Sequence, residues 1–226
     1  MNIFRTLAEK PWLPQTAEAQ AQTELASRQH DPARIAVRFI FAIVSVIFFL
    51  FILTFLSRSQ YPDFQALAGE PWQPFTDPSR LWFNTALLAL SSISIQGGLI
   101  AARREHLNYT IAGISAAVFF SLAFIIAQLS LWQHLYSLGF YVYVNPANSY
   151  FYLLTTVHGL HLFGGLIVLT NVVFRVWYDG SLSRLCNPLQ LCTSYWHFLL
   201  GIWLILFALL TSRPDTINAL AAMCGF

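Results

Sequence analysis

Five long apolar runs divide the chain, at about residues 35–57, 81–102, 109–135, 149–175 and 191–212. Each exceeds the usual length of a strand. At ~1.5 Å per helical residue, each is long enough to cross a ~30 Å hydrocarbon core. Polar punctuation separates them. Residues 58–80 carry Pro62, Pro71, Pro74 and Pro78 with the acids Asp63, Glu70 and Asp77. Arg103 and Arg104 stop the second run. Asn145-Pro146, Asp179-Gly180 and Asn187-Pro188 are turn signals in the loops 136–148 and 176–190. The pattern predicts an all-α bundle of five membrane helices over 35–212. A polar arm, 1–34, precedes it and a short tail, 213–226, follows.

The fourth run is the one around which the others are expected to pack. In helical form it spans ~40 Å, with His158 about 13 Å and His161 about 18 Å from Ser149. Both histidines thus fall near mid-membrane, where ionisable groups face the bundle interior. His158, His161 and Gly165 share a stripe, with Gly164 beside it. Those glycines are expected to admit a neighbouring backbone. The second run is also rich in small residues, with Ser91, Ser92, Ser94, Gly97 and Gly98, and favours close helix contact.

Composition agrees with a chain made for lipid: 57% of residues are hydrophobic and 10% charged. A net charge of +2, with no basic patch carrying interleaved aromatics, excludes a nucleic-acid partner. Cys186, Cys192 and Cys224 form neither a metal-spaced cluster nor an even disulfide set and read as free thiols. The amino-terminal arm has no apolar stretch of the kind found in a cleavable signal, so the first span is expected to target itself. Arg5, Lys10, Arg28, Arg34, Arg38, Arg103, Arg104, Arg175 and Arg184 gather on one side of the five spans. Arg58, Arg80 and Arg213 lie on the other. The positive side predicts a cytoplasmic amino terminus and a periplasmic carboxyl terminus.

All ten acids lie outside the spans. A proton relay or cation site draws on intramembrane carboxylates, so this chain is not expected to carry protons by itself. The polar groups that enter the membrane include histidines, hydroxyls and the amide of Gln128. His161 and His197 fall at similar depths, so a haem held between them is conceivable. The other reading is that the histidines bond to neighbouring helices or lipid head groups. Gln128 reads as interhelical glue. Ser91, Ser92 and Ser94 are expected to bond back to their own helix, and most of the tryptophans to anchor at the interfaces.

Several stretches together resemble one family. His158-Gly159-Leu160-His161-Leu162-Phe163-Gly164-Gly165 resembles the HGxHVxxG signature of cytochrome c oxidase subunit III. Tyr195-Trp196-His197-Phe198, followed by Trp203, resembles that family's YWHFVDxVW motif. Asn84-Thr85 with Leu88 and Ser91-Ser92 resembles NT…LLxSS, and Gln128 with Trp132 resembles QxxEW. Five spans look like the short bacterial form, which lacks the first two helices of the seven-helix version. Three family acids are replaced, by Ser45, Leu131 and Leu200. Proton-uptake roles of those carboxylates are therefore not carried over.

The resemblance implies a subunit of a haem–copper terminal oxidase in the bacterial inner membrane. That enzyme reduces oxygen to water with electrons from cytochrome c or quinol and pumps protons. Haem and copper would belong to partner subunits, with no cofactor, metal or catalytic residue in this chain. Its partners would be subunit I, subunit II and phospholipids. His158, His161, Trp196, His197 and Gln128 are the candidate lipid or helix-packing positions. Charge alone adds Arg103, Arg104 and Arg175 as partners for lipid phosphates. The alternatives are a quinol oxidase or nitric oxide reductase subunit, a carrier or lipid scaffold, and a membrane cytochrome b using His161 and His197.

Overall fold

The computed structural model describes residues 32–68, 78–179 and 182–226, with the side chains of 175–184 outside that description. The arm up to 31, the loop acids Glu70 and Asp77, and the side chains of Arg175 and Arg184 therefore lie outside the described residues. Six helices are described: α1 Pro32–Arg58, α2 Ser79–Arg103, α3 Leu107–Ser137, α4 Pro146–Asp179, α5 Leu182–Leu210 and α6 Pro214–Met223. No strand occurs among the described residues. Helices α1 to α5 are each long and apolar enough to span a membrane. The chain divides into two units, 1–40 and 41–226. In the first, the described part is the amino-terminal end of α1 from Pro32, which is mostly exposed. The second holds everything that follows.

Two helix boundaries differ from the sequence expectation. Asn187-Pro188 is not a turn: α5 starts at Leu182 and runs through Pro188. A proline there forfeits one backbone bond near the start of the helix, a loss that membrane helices tolerate. The tail is not featureless either. After Arg213 the chain enters α6, with Pro214 in its first turn and Ile217 and Ala221 buried.

The spacing of buried positions explains the bundle. On α3 they are Thr110, Ile114, Ala117, Ser121, Phe124, Gln128, Leu131 and Leu135, alternating steps of four and three. On α2 the run Leu81, Asn84, Leu88, Ser91, Ile95, Gly98, Ala102 alternates in the same way. A seven-residue repeat keeps one stripe facing its partner over many turns, the pattern of left-handed helix packing. The two helices are joined by a short connection in which Glu105 takes φ 59°, the left-handed region.

Contact is densest between α2 and α3, then between α2 and α5 and between α4 and α5. Near the Arg103 end, α2 and α3 meet backbone to backbone. A Cβ built on Gly113 would lie 2.6 Å from the Cα and N of Gly98. The glycine approach is thus on this pair. Gly164 has nothing within 4 Å of a built Cβ, and at Gly165 the neighbour is the Tyr195 ring at 2.8 Å, a side chain and not a backbone.

From Phe41 onward, α1 packs through large rings. Phe41 stacks on Phe198 at 4.5 Å, Phe48 tilts on His161 at 5.7 Å, and Phe55 meets Tyr150 edge-on at 5.5 Å. The loop after α1 is tied down by polar groups. Asn145 donates through Nδ2 to the carbonyl of Gln65 at 2.6 Å, and its Oδ1 accepts from the Gln65 N–H at 3.2 Å. The same Oδ1 accepts from Ala147 N–H at 3.2 Å, so one side chain caps α4 and clamps the loop.

Candidate functional site

Along α2 every second turn presents a small or polar residue: Asn84, Ser91 and Gly98. Each meets a matching position on antiparallel α3. Asn84 donates through Nδ2 to Gln128 Oε1 at 2.8 Å. Ser91 and Ser121 share a hydroxyl bond of 2.7 Å, and Gly98 receives Gly113. The rungs are ~10.5 Å apart, seven residues at ~1.5 Å each. This ladder is the polar seam of the bundle.

Helix α5 closes the seam with two buried indoles. Trp196 Nε1–H points at Ser91 Oγ, 3.0 Å, and Ser121 Oγ, 3.2 Å. Ser91 donates its own proton to the carbonyl of Ala117 at 2.9 Å. The Ser121 hydroxyl must then be the donor to Ser91, because Ser91 has one proton and two lone pairs. Every polar atom at this junction of three helices is satisfied. One rung away, Trp203 Nε1–H donates to Thr85 Oγ1 at 3.0 Å, and Thr85 passes its proton to Leu81 O at 2.8 Å.

His197 faces the same helix: Nδ1 is 2.5 Å from Ser92 Oγ and Nε2 is 3.3 Å from Gln96 Oε1. With Nε2 donating to the amide oxygen, Nδ1 accepts from Ser92. His161 looks elsewhere. Its Nδ1 donates to Val157 O at 2.7 Å within α4, and its ring rests against Phe48. Tyr195 O–H donates to the His161 carbonyl at 3.1 Å, so the two histidines are near one level. Their rings nevertheless have different partners, Ser92 and Gln96 of α2 for His197, and Val157 of α4 with Phe48 of α1 for His161.

His158 is fully buried, with Phe124 edge-on at 5.9 Å and Trp203 at 5.2 Å. Both its ring nitrogens, and Gln128 Nε2, lack a hydrogen-bond partner among the described residues. Arg103 and Arg104 are exposed at the end of α2. Arg175 falls on α4, its side chain outside the described residues. The structure brings Gln128, Trp196 and His197 onto the seam, with His158 packed on Trp203 beside it. It does not bring Arg103, Arg104 or the His161 ring there.

Sequence reasoning misplaced two groups. Of the three serines, only Ser94 bonds back to its own helix, to Leu90 O at 2.7 Å. Ser91 and Ser92 reach other helices, because a hydroxyl in a tight interface has a better acceptor across it. Trp203 is not an interfacial anchor but is 1% exposed, as is Trp196, one of the candidate lipid or helix-packing positions. Indoles this deep need an acceptor for each N–H, and the serine and threonine hydroxyls supply it. Ser121, Thr85 and Trp203 were missed as members of the seam. Their signal was the seven-residue spacing, not residue type.

Among the described residues no group of three or more His, Cys, Asp and Glu gathers that could hold a metal. The replaced acids are scattered: Ser45 is exposed on α1, Leu131 is buried on α3 and Leu200 is half-buried on α5. What the seam can do chemically is join helices through neutral hydrogen bonds.

The fold and its core define a multi-pass α-helical membrane protein whose interior is held by hydroxyls, amides and indoles. The chain belongs to the cytochrome c oxidase subunit III family, whose pattern matches residues 16–212. It is 28% identical over 204 residues to the probable cytochrome c oxidase subunit 3 of Mycobacterium bovis, covering 86% of this chain and 97% of the relative. It is 27% identical over 181 residues to cytochrome c oxidase subunit 3 of Thermostichus vulcanus, covering 75% and 86%. It is also 29% identical over 125 residues to cytochrome bo(3) ubiquinol oxidase subunit 3 of Pseudomonas aeruginosa, covering 55% and 59%. The chain is thus a subunit III of the haem–copper oxidase type and a component of a respiratory oxidase complex.

Proposed function

We propose that this chain is a cofactor-free scaffold of its oxidase. It packs against subunit I beside subunit II, stabilises the catalytic subunit and holds phospholipids, while the haems and copper of the partners reduce oxygen to water and pump protons. The observation that carries this reading is the seam. Its interhelical hydrogen bonds join α2, α3 and α5, from Asn84–Gln128 to Trp196–Ser91–Ser121. Such a core favours one rigid arrangement of the helices over motion or transfer. In this reading His158, Trp196, His197 and Gln128 act as packing residues. His161 fixes α4 against α5 through its carbonyl. The exposed Arg103 and Arg104, with Arg175, meet lipid phosphates at the cytoplasmic face of the bacterial inner membrane. The amino terminus is cytoplasmic and the carboxyl terminus periplasmic.

The experiment is to purify the chain from its native membrane in mild detergent and record a reduced-minus-oxidised haem spectrum before and after partners are stripped. Haem and oxygen consumption should leave with the partners. Haem that stays with the isolated chain would overturn the scaffold reading in favour of a membrane cytochrome b. The electron donor follows from the same preparation. Relatives named for cytochrome c oxidase cover more of this chain than those named for a ubiquinol oxidase, which favours cytochrome c as donor. Turnover with quinol alone would reverse that choice.

A further inference from the structure

The connection from α3 to α4 carries no charge: from Tyr136 to Asn148 the chain reads YSLGFYVYVNPAN. Tyr136, Leu138, Val142, Tyr143 and Val144 are exposed, Tyr143 by 83%. The loop is nevertheless held firmly. Tyr152 O–H donates to Phe140 O at 3.1 Å, Asn148 Nδ2 to Tyr141 O at 3.0 Å, and Ser149 Oγ to Val142 O. Gly139, at φ 90°, supplies the left-handed residue that turns the chain after α3. Tyr136 meets Tyr141 edge-on at 4.6 Å, and Tyr141 stacks on Tyr143 at 5.5 Å. The result is a fixed ladder of three phenols flanked by exposed valines.

Contact with acyl chains does not account for that surface. Asn84–Gln128 and Ser91–Ser121 set α2 against α3 so that Arg80 is level with Trp132. Arg80 is exposed, and with the exposed ring of Trp82 it marks the edge of the hydrocarbon. From Trp132 to Leu138 the chain climbs a further ~9 Å. Polar Gln133 and Ser137 are exposed on the way, so the apolar belt of α3 is interrupted before the loop. The far end of the loop is fixed in height by Asn145, which clamps Gln65 close to the solvent-facing Arg58–Asp63 pair. The phenols thus stand level with a solvated ion pair.

We propose that residues 136–144 form a docking surface for the water-exposed part of a partner subunit of the oxidase. A transmembrane helix does not suit the surface, because it lies beyond the hydrocarbon. Left in water, a contiguous apolar patch marks a site of association. Its composition is that of an interface core, poor in charge and rich in tyrosine. A ladder already fixed in the free chain gives up little freedom when it is covered. The inference rests on the scaffold reading and deepens it, adding a contact outside the membrane to those within it.

The test uses the whole oxidase in native membranes, with photoreactive benzoylphenylalanine in place of Tyr143. Irradiation should join this chain to one partner subunit, identified from the mass of the digested adduct. Tyr143→Ser should speed loss of this chain from the purified complex in detergent about fivefold, and Tyr143→Asp about tenfold, the worth of a covered interface tyrosine. Haem content, recorded on the same samples, reports assembly separately. Adducts with phospholipid alone would place the loop among head groups and overturn the docking surface. An assembled complex that gives no adduct, or that holds both variants as firmly as the wild type, would overturn it as well and leave the scaffold reading standing. A wild-type chain that purifies without haem would overturn the scaffold reading itself, and the surface with it.

Discussion

The seam joining α2, α3 and α5 and the flank where α1 lies on α4 and α5 solve the same packing problem by different means. At the seam, glycines and hydroxyls bring backbones together and each buried indole has an acceptor. At the flank, rings meet rings: Phe41 on Phe198, Phe48 on His161 and Phe55 on Tyr150. In water the flank would gain from removing the apolar surface of its rings. In a bilayer that advantage disappears, since lipid tails are as apolar as phenylalanine. Close fit and interhelical hydrogen bonds then decide, so substitutions in the seam should cost more than larger truncations at the flank.

The largest effect is expected from Gly113→Val. Even the first carbon of the new side chain would sit 2.6 Å from the Gly98 backbone and 2.9 Å from Ser94 O. The helices must separate, at a cost of about 3 kcal/mol or more. Gly97→Ala, whose added carbon meets nothing within 4 Å, is the control and should be neutral. Thermal unfolding of the purified complex, followed by loss of this chain from it, measures both. Equal stability of the two variants would break the comparison at its strongest point.

Next comes Trp196→Phe, which removes the donor shared by Ser91 and Ser121. The expected loss is about 1–2 kcal/mol, interhelical bonds in membranes being worth roughly 0.6–2 kcal/mol. A double-mutant cycle with Ser91→Ala sharpens this. If the indole acts through the serine, its replacement should cost clearly less once Ser91 is gone. Additive losses would show that Trp196 contributes volume alone.

The contrast between seam and flank also marks what was legible in the chain. Run length and polar punctuation gave five spans because membrane thickness imposes a minimum on any helix that crosses it. Gln128 was legible as glue because an amide in hydrocarbon needs a partner on another helix. Its partner, Asn84, was not, since 44 residues separate them and only the register of α2 against α3 brings them together. The same holds for Trp196 and Ser91, 105 positions apart. For Trp203, residue type suggested an interfacial position, and packing overrode it. The start of α5 was misread because Asn-Pro is a turn signal in water and only a local defect in a membrane helix. His161 and His197 were judged by depth, which was fair, but depth says nothing about direction. Their rings turn to different helices.

At the flank, Phe48→Leu should cost less than about 1.5 kcal/mol although Phe48 is 1% exposed. Lipid or a neighbouring side chain fills the lost volume, and no hydrogen bond is broken. The same unfolding measurement applies. A loss as large as that of Trp196→Phe would mean that ring packing on His161 carries more of the stability than the seam.

The smallest effect is expected where α1 ends. Arg58 donates to Asp63 through Nη1 at 2.7 Å and through Nη2, and its guanidinium lies 4.9 Å over the Tyr61 ring. The hydrogen bonds from Arg58 hold the Asp63 carboxyl below its ordinary range, with the Arg58 charge adding to the effect. A lowered carboxylate contributes stability that is complete above its ordinary titration range and fades as pH falls through the depressed value. Asp63→Asn should therefore weaken the chain slightly at neutral pH and make no difference once wild-type Asp63 is protonated. High salt should shrink the neutral-pH difference, because both partners face solvent. A substitution that costs as much at acidic pH as at neutral pH would assign the effect to the shape of the loop after α1. It would also move part of the flank's stability from the rings to the Asn145–Gln65 clamp that holds this loop.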